Sequence, residues 1–164
     1  MNTKKLTAMA LLVALGTLAG VFSIPVGGAL IFPVQHAINV LAAVLLGPGP
    51  AVLVAFAVAV LRNLLGTGTV LAFPGGMIGA LVAGYAFRIF RRDYAAVAGE
   101  IIGTGVLGAL VAVPLARLVL GSDAIALAFV IPFASSSVAG AITGLLVLKG
   151  VAVALPKQLG EEAK

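Results

Sequence analysis

From Leu6 to Val151 the sequence is a succession of apolar stretches, each closed by glycine, proline or a short knot of charge. A soluble fold needs polar residues over its outward faces, and these intervals are too short to supply them. Only 9% of the 164 residues are charged and 62% are hydrophobic, against about 25% charged in an ordinary soluble domain. A membrane-crossing helix takes about 20 apolar residues, so the length allows about six crossings with short connections. It leaves no room for a large extramembrane domain. The expected fold is therefore an all-α integral membrane protein.

The punctuation divides a single transmembrane domain, residues 1–164, into six expected helices over 6–22, 33–46, 51–65, 74–91, 95–120 and 132–151. Lys4 and Lys5 precede the first, giving it the basic head and apolar body of a signal peptide. The rest of the chain is equally apolar, so it reads as an uncleaved first helix. Ser23–Phe32 reads as a loop broken by glycine and proline, and Gly47-Pro48-Gly49-Pro50 as a turn. Gly66-Thr67-Gly68-Thr69 ends the third span, Gly121-Ser122-Asp123 turns the chain again, and Pro156–Lys164 forms a polar tail.

Six crossings place both termini on one side. With that side cytoplasmic, Lys4, Lys5, Arg88, Arg91, Arg92, Lys149, Lys157 and Lys164 lie at inner ends, and only Arg62 and Arg117 in outer halves. That is the bias which orients helices in a cell membrane. It also accounts for the net charge of +5 without nucleic acid. The absence of cysteine excludes disulfides and thiolate metal sites, and no cofactor or metal is expected.

Three expected helices that descend from outside each start near a proline, at Pro33, Pro74 and Pro132, which suits the first helical turn. Their N-termini would share one outer region, unless the prolines only start helices neatly. Gln35, His36 and Asn39 can share one face of the second span, because residues three and four apart are neighbours on a helix. Arg62 and Asn63 lie near the outer end of the third span, and Ser135, Ser136 and Ser137 open the sixth. Polar side chains inside a membrane are costly and usually face a bundle interior or cavity. Gathered in the outer half, they point to a ligand pocket open to the outside, although His36 and Asn39 also suit hydrogen bonding between helices. Ser136, Gly140 and Gly144 also suit close packing, as do the GxxxG spacings Gly75–Gly79 and Gly99–Gly103. Glu100, with Thr104 one turn further on, is placed in the cytoplasmic half of the fifth span. Its expected partner is Arg62, the one basic residue clearly inside a span.

Ala10 and Ala14, four apart after a basic start, resemble the coupling-helix pattern of the substrate-capture subunits (S components) of energy-coupling factor (ECF) vitamin transporters. Three longer blocks narrow the resemblance: FPVQHAINVLAAVLLGPGPA from Phe32 to Ala51, RNLLGTGTVLAFPGG from Arg62 to Gly76, and EIIGTGVLGAL from Glu100 to Leu110. In that order they look like the ThiW family, S components assigned to the thiazole moiety of thiamin. The resemblance implies a six-helix capture subunit that takes hydroxyethylthiazole, or another thiamin precursor, from outside into a pocket beneath the first loop. It implies as partners a transmembrane coupling subunit, docked on Ala10 and Ala14, and two ATPase subunits. Carried onto this sequence, the pocket draws on Gln35, His36, Asn39, Arg62, Asn63, Thr67, Glu100 and Thr104, with Phe73, Phe133 and Ser136 completing it. No phosphate-binding loop is present, in keeping with ATP hydrolysis on partner subunits. A competing reading is an intramembrane enzyme using His36 with Glu100 or a serine. The different depths expected for those two residues, and the lack of metalloprotease or serine-hydrolase motifs, count against it. A small channel or exporter is a third.

Overall fold

The computed structural model describes residues 3–26, 29–121 and 126–154. The expected turn at Ser122-Asp123 and the tail Pro156–Lys164, with Lys157 and Lys164, lie outside the described residues. In chain order come α1 (Thr3–Leu18), a 3₁₀ turn (Ala19–Val21), β1 (Ile24–Val26), β2 (Ala29–Ile31), α2 (Pro33–Leu46), α3 (Pro48–Leu64) and α4 (Ala72–Phe90). They are followed by α5 (Asp93–Ile102), a π-helical segment (Gly103–Gly108), α6 (Ala109–Leu120) and α7 (Ala126–Ala154). The chain is an all-helical membrane protein apart from one short hairpin. Among the described residues four stretches are long and apolar enough to cross a bilayer: Thr3–Val21, Ala72–Phe90, Asp93–Val119 and Leu127–Ala152. The apolar helices α2 and α3 are shorter, at 14 and 17 residues.

Three local expectations need correction. Ser23–Phe32 is not an irregular loop, because β1 and β2 pair antiparallel with Ile24 opposite Ile31 and Val26 opposite Ala29. Ile24, Val26 and Ile31 are β-branched, and pairing satisfies main-chain groups that a loose loop would leave bare. The Gly-Pro-Gly-Pro turn shrinks to Gly47, whose φ of +89° is open to glycine; Pro48 already occupies the first turn of α3. Pro132 starts no helix but lies inside α7. Its missing N–H would free the carbonyl of Ala128, and both residues border a cavity rather than a packed neighbour. The expected trio of helix starts is thus a pair, at Pro33 and Pro74. The long expected span 95–120 is met by one continuous helical stretch, Asp93–Val119, with the π segment inside it.

The π segment has a packing cause. An added Cβ on Gly99, Gly103 or Gly108 would stand only 2.8, 2.8 or 2.5 Å from the Cα of Ala83, Gly79 or Gly75 respectively. On α4 those partners are spaced by four, but the last pair on the facing chain is spaced by five. One wide turn absorbs the extra residue, keeping Gly108 against α4 while Leu107 stays exposed. The same contact leaves no space beside Gly79, where a Cβ would meet the Thr104 hydroxyl and Glu100. On the other side of α2, Gly140 and Gly144 of α7 lie against the main chain at Pro33 and Ala37. Small residues thus draw α4, α7 and the π segment around the N-terminal half of α2.

Candidate functional site

Between the first turns of α2 and α4, the hairpin, the α3–α4 connection and α7 lies a cavity of about 690 Å³. Each wall has a local cause. Gln35 and His36 follow Pro33, which fixes the start of α2. Ala72, Gly75 and Gly76 offer the bare face of α4, and Phe129, Pro132, Phe133 and Ser136 fall at helical spacing along α7. Leu30 and Phe32 come from the end of the hairpin, and the main chain of Phe32 donates to the Ser136 hydroxyl at 3.2 Å. Gly66, Thr67, Gly68 and Thr69 close the wall beyond Arg62.

Two buried charges frame this space without touching. The Arg62 guanidinium, 2% exposed, donates to Gln35 Oε1, to the Thr67 carbonyl at 2.7 Å and to the Gly20 carbonyl at 3.3 Å. It also sits 4.4 Å from the centre of the Phe32 ring. Glu100 is 0% exposed. Its Oε1 is 2.8 Å from His36 Nδ1 and 2.9 Å from the Thr104 hydroxyl, and accepts from Asn39 Nδ2 at 3.0 Å. Asn39 also donates to the Gly76 carbonyl at 3.1 Å. Glu100 Oε2 and Arg62 Nε are sealed from solvent and take no partner among the described residues.

The expected Arg62–Glu100 pair is therefore replaced by Arg62–Gln35 and His36–Glu100. The expectation chose Arg62 as the one basic residue clearly inside a span, and placed His36 and Glu100 at different depths. With 14 residues, α2 is about 21 Å long, well short of a hydrocarbon core of about 30 Å. His36, near its start, meets a carboxylate eight residues into α5. The depth argument against a His36–Glu100 enzyme falls with it.

Of the residues expected at the site, Gln35, His36, Arg62, Thr67, Thr104, Phe133 and Ser136 border the cavity. Asn39 and Glu100 lie behind that wall and hold it. Asn63 turns its amide to the carbonyls of Ala59 and Thr69, at 2.8 and 3.1 Å. Phe73 packs on Phe56, with ring centres 5.8 Å apart. It neighbours Ala72, and one residue along a helix rotates the side chain by about 100°, away from the cavity. Ala10 and Ala14 are exposed on α1. Sequence reading missed Leu30, Phe32, Phe129, Gly75 and Gly76 as wall residues. Phe129 was readable, since 129, 132, 133 and 136 form one helical stripe once α7 extends back past Pro132.

The site is a half-open, mainly apolar chamber with three phenylalanine side chains, a few hydroxyls, one imidazole and one guanidinium. It suits a small aromatic molecule carrying a few polar atoms. Residues 6–154 match the family model described as thiamine-precursor transporter protein (ThiW). No curated protein matches the chain.

Proposed function

The chain belongs to the ThiW family of thiamine-precursor transporters, and from that premise we propose that it is the substrate-capture S component of an ECF-type importer for the thiazole moiety of thiamine. The observation that carries this reading is the 690 Å³ cavity walled by Phe32, Phe129 and Phe133 beside His36, Arg62 and Ser136. A thiazole alcohol has an aromatic ring to lie against apolar walls, and a ring nitrogen and hydroxyl to meet a few placed polar groups. The chain captures its ligand and does not convert it.

In this reading α2 and α3 are crossings alongside the four longer ones. Both termini are cytoplasmic, the hairpin covers the cavity from outside, and the single domain is a multi-pass protein of the cell membrane. The basic residues at Lys4, Lys5, Arg88, Arg91, Arg92 and Lys149 support that orientation. Ala10 and Ala14, exposed on α1, are the surface offered to a transmembrane coupling subunit, which works with two ATPases.

Equilibrium binding to the purified chain in lipid nanodiscs tests the proposal. Hydroxyethylthiazole should bind one to one, without ATP and without chemical change, and more tightly than the aminopyrimidine half of thiamine. Preference for the pyrimidine half would move the ligand assignment to another precursor. Turnover, or ATP-driven uptake into liposomes by this chain alone, would overturn the capture role.

A further inference from the structure

The histidine on the cavity wall has its two ring nitrogens in different surroundings. Nδ1 lies 2.8 Å from Glu100 Oε1, a separation that holds one hydrogen. The same oxygen accepts from Asn39 and lies within reach of the Thr104 hydroxyl. The Asn39 amide is oriented by the Gly76 carbonyl, which can only accept. Oε1 thus works as an acceptor, and the hydrogen toward His36 belongs to Nδ1. Nε2 takes no partner among the described residues, yet it is not among the sealed unpartnered atoms. The space that His36 borders is the cavity.

We propose that Glu100 holds the His36 proton on Nδ1, so that neutral His36 presents a bare Nε2 to the cavity and selects a ligand carrying a hydroxyl or N–H donor. The proposal rests on the cavity being the ligand site, and it deepens that reading by naming what the ligand must supply. Glu100 is a positioning residue: it is wholly buried, is absent from the wall and acts through the imidazole. A buried carboxylate that fixes a histidine tautomer from behind is the arrangement by which proteins choose which ring nitrogen faces a partner. A ligand without a donor leaves Nε2 desolvated and unpaired, and sites built around a hydrogen bond reject such analogues more strongly than apolar pockets reject a missing methylene.

His36 is the one histidine in the sequence, so ¹⁵N-histidine labelling reports on this ring alone. In the ligand-free chain, two-bond ¹H–¹⁵N correlation should show a protonated Nδ1 and a bare Nε2. Protonation at Nε2 would overturn the proposal. Adding hydroxyethylthiazole should shift Nε2 more than Nδ1, and 4-methyl-5-ethylthiazole, which lacks the hydroxyl, should bind about tenfold or more weakly. Equal affinity for the two would overturn the selection of a donor while leaving thiazole capture intact. If no thiazole binds, the thiazole assignment fails and the tautomer decides the His36 assignment by itself. In Glu100→Leu the ring should revert to the Nε2–H form, and retention of Nδ1–H there would remove Glu100 from its positioning role. Should that variant not fold, the wild-type spectrum still decides which nitrogen carries the proton.

Discussion

Gln35 and His36 are adjacent on α2, yet they reach opposite charges that are housed in contrasting ways. The carboxylate beyond His36 is held by side chains of α2 and the π segment, and it is 0% exposed. The guanidinium beyond Gln35 is held largely by main-chain oxygens, Gly20 at the end of the first helix and Thr67 in the α3–α4 connection. One charge therefore ties helices together in the dry interior. The other ties the ends of connecting segments together at the cavity wall. Loss of the first strands donors where water cannot reach them. Loss of the second frees carbonyls beside a cavity that can hydrate them.

The largest effect is expected from Glu100→Leu. It removes the acceptor shared by His36 Nδ1, Asn39 and the Thr104 hydroxyl. One Asn39 N–H and the His36 ring nitrogen are left unpaired, while the Gly76 and Gly75 carbonyls still accept from Asn39 and Thr104. A buried polar group left unpaired costs about 1–3 kcal/mol, so the loss is expected to reach about 3 kcal/mol or more. Glu100→Gln keeps a carbonyl and should lose less. Thermal melting of both variants in nanodiscs checks this. A leucine variant as stable as wild type would show that the cluster is not what fixes the helices, and the contrast between the two regions would collapse.

Arg62→Met comes next. It keeps much of the side-chain length while deleting the bonds to Gln35, Gly20 and Thr67 and the contact with Phe32. The expected stability loss is about 1–3 kcal/mol, smaller than for Glu100→Leu, with ligand affinity falling about tenfold because the wall loses its tie. Hydrogen exchange should speed up in 19–26 and 66–71 and stay near wild type in 96–104. Faster exchange spread evenly over both regions would mean that Arg62 supports the whole bundle.

How much of this was legible differs between the same two regions. The polar residues around the cavity were readable because ionisable and amide side chains in an apolar chain must find company. Pro33 and Pro74 gave helix starts correctly, since a proline in the first turn costs nothing. Pro132 misled, because a proline inside a helix looks identical in sequence when the freed carbonyl has a cavity to face. The hairpin left a signal in Val26-Gly27-Gly28-Ala29, two glycines between short runs of strand-favouring residues. The bounds of α2 were read correctly, but the partners of Arg62 and Glu100 were not readable, because the depth at which α2 packs against α5 is set by its neighbours. Nor could Phe73 be excluded as a wall residue, since which face of a helix meets a cavity is decided by its neighbours.

Asn39→Leu should have a smaller effect, of a kind that separates scaffold from ligand contact. Asn39 donates to Gly76 and Glu100 behind the wall. The variant should lose about 1–2 kcal/mol of stability while its ligand affinity, measured well below the melting temperature, stays within about threefold of wild type. Melting curves and binding isotherms on the same preparation check both. A tenfold loss of affinity with an unchanged melt would return Asn39 to the ligand.

The smallest effect is a coupling energy, and it decides whether the two charged regions are separate at all. If Arg62 and Glu100 paired directly, their attraction at about 4 Å would be about 4 kcal/mol at an effective dielectric of about 20. Glu100→Gln combined with Arg62→Met would then destabilise far less than the sum of the two single changes, because the second change removes a group already left unpaired. In the observed arrangement each charge has its own partners, and the link between them runs only through the neighbouring residues Gln35 and His36. The cycle should close with a coupling of about 1 kcal/mol or less, the residue of a long-range attraction between groups that share no contact. Melting of the four proteins under one condition gives the number. A coupling near the direct-contact value would mean that the charges meet in the membrane, and that Gln35 and His36 are bystanders rather than the partners that keep them apart.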